Sequence, residues 1–162
     1  MSKRIDQDFV TGVVVMLFCL TFFVSSFFIS YERVVGASME PTYKSGDILV
    51  ATKSADEGDL TYRKVIVAKG TGHTEGLYII KRIVALPGDV VLIRDGMLYV
   101  NGVPEEDGYE KILDPGIAAS PITLKDNEYF VLGDNRNGSE DSRVFGPLDI
   151  EDIESIILFK IL

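Results

Sequence analysis

Hydrophobic and polar positions divide this chain into two unlike parts. From Val10 to Ile29 the run VTGVVVMLFCLTFFVSSFFI holds 20 residues and no charge. At about 1.5 Å per residue, a helix of that length reaches about 30 Å, the thickness of a bilayer's hydrocarbon core. The competing reading is a cleaved signal peptide, whose apolar stretch is usually about 7–15 residues and ends in a small-x-small exit. Phe27-Phe28-Ile29-Ser30 supplies no such exit. Residues 10–29 are therefore expected to be a retained transmembrane anchor, behind a short tail over residues 1–9.

Beyond Ile29 the apolar residues break into short runs rich in Val, Ile and Tyr, separated by Gly, Pro, Asp and Asn. This is the pattern of half-buried strands between turns. It predicts strands over Asp47–Lys53, Tyr62–Lys69, Leu77–Leu86, Val90–Arg94, Met97–Asn101, Glu128–Leu132 and Ser155–Ile161. Asp95-Gly96 between two apolar runs predicts a two-residue hairpin. Residues 102–121 are polar with scattered Gly and Pro, so they are expected to form a loop or a small cap excursion. No repeat, low-complexity tract or second helical periodicity interrupts this pattern. The expected fold is mainly β: an N-terminal transmembrane helix, then an antiparallel sheet or barrel-like domain over residues 30–162.

Charge narrows the partners. The chain has 162 residues, enough for one domain with a real core. Its net charge is −9, and the tail contributes none of it, because Lys3 and Arg4 cancel Asp6 and Asp8. The rest is acidic, with no basic stripe or Arg cluster, which argues against nucleic acid as a partner. Orientation is weakly written: Lys3 and Arg4 precede the run, Arg33 and Lys44 follow it, and only the α-amino group tips the balance toward an internal N-terminus. Cys19, the only cysteine, lies inside the apolar run, so it allows no intramolecular disulfide and no thiolate zinc cluster. Packing within the anchor is its plain reading, and acylation the rival one.

Three segments could carry chemistry. Ser38 stands in Gly36-Ala37-Ser38-Met39-Glu40-Pro41-Thr42, nine positions after Ile29. Small neighbours and a following proline suit a reactive hydroxyl on an open turn. A serine nucleophile needs a base, and the one histidine, His73, sits in the Gly- and Thr-rich stretch Gly70–Gly76, where nothing would fix its ring. A Ser-His-Asp triad is therefore not expected. Lysine serves instead when desolvation lowers its pKa. Lys81 has that setting, since strand alternation puts it on one face with Ile79, Ile83 and Ala85. The bland alternative is a lysine snorkelling from a strand edge. Lys64 is a weaker rival, because it begins an apolar run and does not sit within one. The third segment, Leu132 to Gly146, is dense in groups that make directed hydrogen bonds. It lacks the ligand spacing of a helix-flanked calcium loop, and by itself it reads as a polar loop.

Taken together, these segments resemble the type I signal peptidases of bacteria, the membrane-bound Ser/Lys proteases. The resemblance rests on the apolar run, then Gly36–Thr42, then Gly46-Asp47-Ile48-Leu49-Val50, then Lys81–Asp89, and finally Gly133-Asp134-Asn135-Arg136 through Asp141-Ser142-Arg143, in that order. It implies that Ser38 is the nucleophile and Lys81 the general base. Ser139 would orient the lysine amine, Asp141 and Arg143 would form a supporting ion pair, and Asp134 would belong to the same box with a less defined role. A lysine base also implies a bacterial enzyme, because the endoplasmic-reticulum relatives carry histidine there. The implied activity is removal of signal peptides from secreted preproteins at Ala-x-Ala-type sites, at the outer face of a cell membrane. The chain would be single-pass, with its N-terminus cytoplasmic. No metal or cofactor is expected. Val34, Val35, Ile79 and Ile80 would line shallow substrate pockets. The alternative is a catalytically silent relative that assembles surface fibres, a group that tends to lack the serine or the lysine. Some members carry a serine two positions before the nucleophile as an oxyanion donor. Gly36 stands there, so the oxyanion hole is expected to rest on the Ser38 backbone N–H. Asn137-Gly138 replaces the common Asp-Asn, a change expected to loosen the turn.

Overall fold

The computed structural model of the chain describes residues 7–53 and 55–161, the side chains at 24–27 excepted. Helix α1 (Gln7–Phe28) runs directly into strand β1 (Ile29–Arg33). Strands β2 (Ile48–Thr52), β3 (Val65–Lys69), β4 (Tyr78–Ala85), β5 (Val90–Arg94), β6 (Met97–Val100), β7 (Val103–Pro104), β8 (Ile122–Thr123) and β9 (Glu128–Leu132) follow. The one-turn helix α2 (Ser142–Phe145), β10 (Leu148–Asp149) and β11 (Ile153–Lys160) complete the chain.

The strands form two antiparallel sheets. One has seven strands in the order β1-β2-β11-β3-β4-β9-β10, and the other four in the order β7-β6-β5-β8. Apolar alternation fills both faces of the large sheet. Ile66, Ile83, Tyr129, Val131 and Leu148 pack on one side, and Val34, Met39, Leu49, Val65 and Val67 on the other. A third cluster, with Val84, Ala85, Val91, Leu98, Phe130 and Leu132 at its centre, joins the small sheet to the ends of β4 and β9.

Six of the seven strand predictions lie within two residues of the observed ends at both termini; the second starts at Val65, three residues after Tyr62. Asp95-Gly96 is the expected hairpin, with both residues at positive φ and Arg94 paired to Met97. Four strands escaped the pattern. β1 is a polar edge strand, Ile-Ser-Tyr-Glu-Arg, and it claims Ile29, the residue expected to end the anchor. β7 follows an Asn101-Gly102 turn that also has two positive φ values, so the excursion over residues 102–121 begins as a hairpin. β8 and β10 have two residues each, too few to show a period. Helix α2 is a single turn capped by the Asp141 side chain, likewise too short to signal itself.

The 22 residues of α1 leave Phe9, Phe18, Phe22 and Phe23 exposed. Among the described residues no helix is long and apolar enough to cross a membrane. Lys3, Arg4 and Asp6, on which the charge argument for orientation rests, lie outside the described residues.

Candidate active site

Ser38 sits on a turn leaving the extended segment after β1. Gly36, at φ +92°, takes a left-handed conformation that a side chain would strain. The turn is closed by Glu40 N–H donating to the Ala37 carbonyl and Tyr43 N–H donating to that of Met39. The Glu40–Pro41 peptide bond is cis. Met39 is buried and pins the turn to the sheet, while the Ser38 side chain stays half-buried. Among the described residues the Ser38 N–H donates to no protein acceptor.

Lys81 lies in mid-β4, paired with Ile66 of β3, and is only 4% exposed. The alternation predicted for this strand holds, with Ile79, Lys81, Ile83 and Ala85 all buried. The Lys81 Nζ donates to Ser38 Oγ at 3.0 Å. Burial pushes the amine's pKa below the ordinary lysine value. Asp141 and Glu140 oppose that shift, and Arg143 adds to it.

The loop after β9 holds the turn from below. Asn135 N–H donates to the Ser38 carbonyl at 3.0 Å and its side-chain amide to the Ala37 carbonyl at 3.2 Å. Gly133 is required by space: a Cβ there would collide with the Ser139 side chain and lie 2.5 Å from the Ser38 carbonyl oxygen. Asp134, fully buried at its side chain, receives two bonds from Arg82, Nε at 2.7 Å and Nη2 at 2.6 Å, and a third from the Thr42 hydroxyl at 2.5 Å. One carboxylate thus links the residue after Lys81 to the turn of Ser38. Asp141 receives Arg143 Nε at 2.7 Å, Arg143 Nη2 at 2.8 Å and the Gly133 N–H at 3.0 Å. Ser139 is the exception among the predicted residues. Its hydroxyl is buried and has no hydrogen-bond partner among the described residues, where the Lys81 amine donates to Ser38.

The excursion closes over this box. Arg136 binds Asp107 at 2.6 Å and stacks on Tyr109, and Arg143 Nη1 donates to the Asp114 carbonyl. Asn137, expected to loosen the turn, ties it instead: it donates to the Lys111 carbonyl and accepts the Leu113 N–H.

A groove of about 430 Å³ opens beside Ser38 and Lys81. Val34, Val35, Ile79 and Ile80 all line it, joined by Met39, Val67, Leu77 and Tyr78, which carry no local sequence signal for that place. Val35 is 85% exposed, whereas Val34 and Ile79 are buried beneath it. Along the groove, β4 pairs with β3 over Tyr78–Arg82 but with β9 only from Arg82 onward. The Tyr78–Lys81 stretch therefore keeps a free edge among the described residues. His73 lies in an exposed single 3-10 turn, away from these residues' bonds.

A hydroxyl bonded to a buried amine, beside a groove with an open strand edge, is the equipment of a serine hydrolase that uses lysine as its base. The signal peptidase, peptidase S26 family model matches residues 7–161, and the chain belongs to that family. It is 34% identical over 163 residues to signal peptidase I V of Bacillus subtilis strain 168, covering 92% of this chain and 94% of that one. It is 28% identical to signal peptidase IB of Staphylococcus aureus strain COL, covering 99% and 91%. The crystal structure of a signal peptidase I from Enterococcus faecalis V583 aligns with TM-score 0.52 at 30% identity, over 61% of this chain and 97% of that one.

Proposed function

We propose that the chain is a serine endopeptidase that removes N-terminal signal peptides from secreted preproteins, with Ser38 as nucleophile and Lys81 as general base. The observation that carries this reading is the 3.0 Å contact between the Lys81 amine and the Ser38 hydroxyl inside a desolvated site. Neutral Lys81 takes the hydroxyl proton as Ser38 Oγ attacks the scissile carbonyl carbon, and the carbonyl π pair moves to oxygen. The uncommitted Ser38 N–H supplies one donor to that oxygen. Lys81 then gives its proton to the leaving amine, and afterwards takes one from the water that releases the acyl-enzyme. Ser139, buried within reach of the Gly133 backbone, supplies a hydroxyl for the amine once the substrate carbonyl occupies Ser38. Asp141–Arg143 and Asp134–Arg82 keep the two halves of the site in register.

The preprotein adds as an extended strand along the free edge of Tyr78–Lys81, opposite Val34 and Val35. The apolar, shallow groove suits small side chains, in keeping with an Ala-x-Ala type of site. Enlarging Ile80 to Phe narrows that groove and is expected to tighten selection at the small-residue positions; unchanged processing of a set of cleavage-site variants would remove Ile80 from the specificity pocket.

Residues 10–29 anchor the domain in a cell membrane, with the N-terminus cytoplasmic and residues 30–162 outside. Support comes from the uncharged run, its helical backbone over residues 10–28 and the exposed aromatic side chains of α1. The proposed span includes 24–27, whose side chains lie outside the described set.

Cleavage of a purified preprotein by the detergent-solubilised chain tests the whole reading. N-terminal sequencing of the product should begin at the mature residue, and Ser38→Ala should give no product. A Ser38→Ala chain that still cleaves would refute the assignment.

A further inference from the structure

The Ala37–Ser38 peptide is trans, so its carbonyl and the Ser38 N–H point in opposite directions. Whatever grips the Ala37 carbonyl therefore sets the direction of that N–H. Two donors grip it: the Glu40 N–H at 3.1 Å, from within the same turn, and the Asn135 side-chain amide at 3.2 Å, from the loop after β9. The first fixes the peptide relative to its own turn. The second fixes it relative to the loop, in which Asp134 is held by Arg82, the neighbour of Lys81 on β4. The Asn135 backbone N–H holds the next peptide as well, at the Ser38 carbonyl, at 3.0 Å. Asn135 thus clasps both peptide planes that flank Ser38. Gly138 gives the amide its seat. A Cβ at residue 138 would lie 2.5 Å from Asn135 Nδ2 and 2.8 Å from its Cγ. The Gly138 N–H also donates to the Asn135 carbonyl at 3.1 Å, which folds the loop back against the amide.

We propose that Asn135 is a positioning residue that acts through the Ser38 N–H: its side-chain amide, seated against Gly138, holds the Ala37–Ser38 peptide plane so that the N–H faces the developing oxyanion. The inference rests on the reading of Ser38 as nucleophile. A hydrogen bond weakens steeply as its N–H turns off line. Gly36 offers no side-chain donor to share the task. The effect belongs to the transition state, because the substrate carbonyl gains its charge only there. Among the described residues Asn135 makes no bond to Lys81, so the proton equilibrium of the base is left alone.

The test is steady-state cleavage of a preprotein by the detergent-solubilised full chain. It compares wild type with Asn135→Ala, Asn135→Asp, Gly138→Ala, the double variant Asn135→Ala/Gly138→Ala, and Ser38→Ala. Asn135→Ala removes the side-chain bond and keeps the backbone one. It should lower kcat by about ten- to hundredfold, short of the loss of a whole oxyanion donor. KM should stay within about twofold, and the acid limb of the pH profile should stay in place. Asn135→Asp, alike in shape but without the N–H, should lose at least as much. Gly138→Ala should displace the amide and lower kcat in the same way. The double variant should fall no further than Asn135→Ala, because both changes act on one contact. An unchanged kcat in Asn135→Ala, a loss expressed only in KM, or a moved acid limb would each overturn the proposal, as would losses that multiply in the double variant. If thermal melts show that Asn135→Ala does not fold, Asn135→Asp and Gly138→Ala carry the comparison. Ser38→Ala separates the two readings: activity there removes the nucleophile itself, whereas an inactive Ser38→Ala beside a fully active Asn135→Ala removes Asn135 alone.

Discussion

At the scale of residues, the proposed mechanism depends on a lysine that is kept dry. Lys81 is 4% exposed and its pKa is lowered chiefly by burial. The sign of the consequence for stability is definite. A group that loses its proton more readily when folded makes the unfolded chain bind more protons, so stability rises with pH from the lowered value toward 10.5. Burying the charged lysine is thus a cost at neutral pH. Lys81→Met should raise the melting temperature at pH 7, with the advantage shrinking as the pH is raised, while activity falls by about 10⁴-fold or more. Thermal melts across pH and a cleavage assay check both halves. Gly133→Ala makes a second test: its Cβ would meet Ser139 and the Ser38 carbonyl, so cleavage should fall by about tenfold or more even if the chain stays folded. The Lys81 setting was legible in the sequence, because period-2 alternation is local. The use of Arg82 and Asn135 was not. Arg82 faces away from its neighbour Lys81 and meets Asp134 through the pairing with β9, and Asn135 acts through the carbonyls of Ser38 and Ala37, far back along the chain. Such contacts are set by register between distant strands, which composition does not encode. Ser139 could be named from resemblance alone.

At the scale of elements, β4 and the loop after β9 form one machine part. Arg82 pairs with Leu132 across the β4–β9 ladder, and Asp134 lies two residues beyond it. The Arg82–Asp134 pair is nearly dry, with side-chain exposures of 15% and 0%. Removing one partner of a buried pair costs about 3–5 kcal/mol, because the other charge is left uncompensated. Asp134→Ala should therefore lower the unfolding free energy by about that amount, measured by urea denaturation, and should also free Thr42 and loosen the Ser38 turn. The double variant Asp134→Leu/Arg82→Leu should recover much of the stability but not the activity. Strand runs of four or more residues were readable from β-branched alternation, the polar edge strand β1 excepted. The two-residue strands and α2 were not, because they exist through their partners: β10 through β9, and α2 through the Asp141 cap. The Asn101-Gly102 hairpin carried a local signal as clear as that of Asp95-Gly96, and was masked by the polar residues after it.

At the scale of the whole molecule, the seven-stranded sheet and the Ser38 turn line the groove, and a helix whose apolar side chains are exposed leads into the edge of that sheet. β1 joins that helix to the Ser38 turn with only Val34 to Ala37 between, so the reach of Ser38 from the helix end is short and fixed by strand pairing to β2. If residues 10–29 span the bilayer, a charge at the middle of α1 costs about 2.5–3.5 kcal/mol of insertion. Leu17→Arg should then shift part of the chain from the alkali-resistant membrane pellet to the supernatant; equal retention of both chains would contradict the anchor.

That Lys81 activates Ser38 is the claim on which the mechanism stands, and its test is intact-mass measurement after exposure to an acylating β-lactam-type inhibitor. The wild-type chain should gain one inhibitor mass, mapped by peptide sequencing to Ser38, and Lys81→Ala should gain none over the same interval. An adduct on another residue, or equal labelling of Ser38 without Lys81, would contradict the claim.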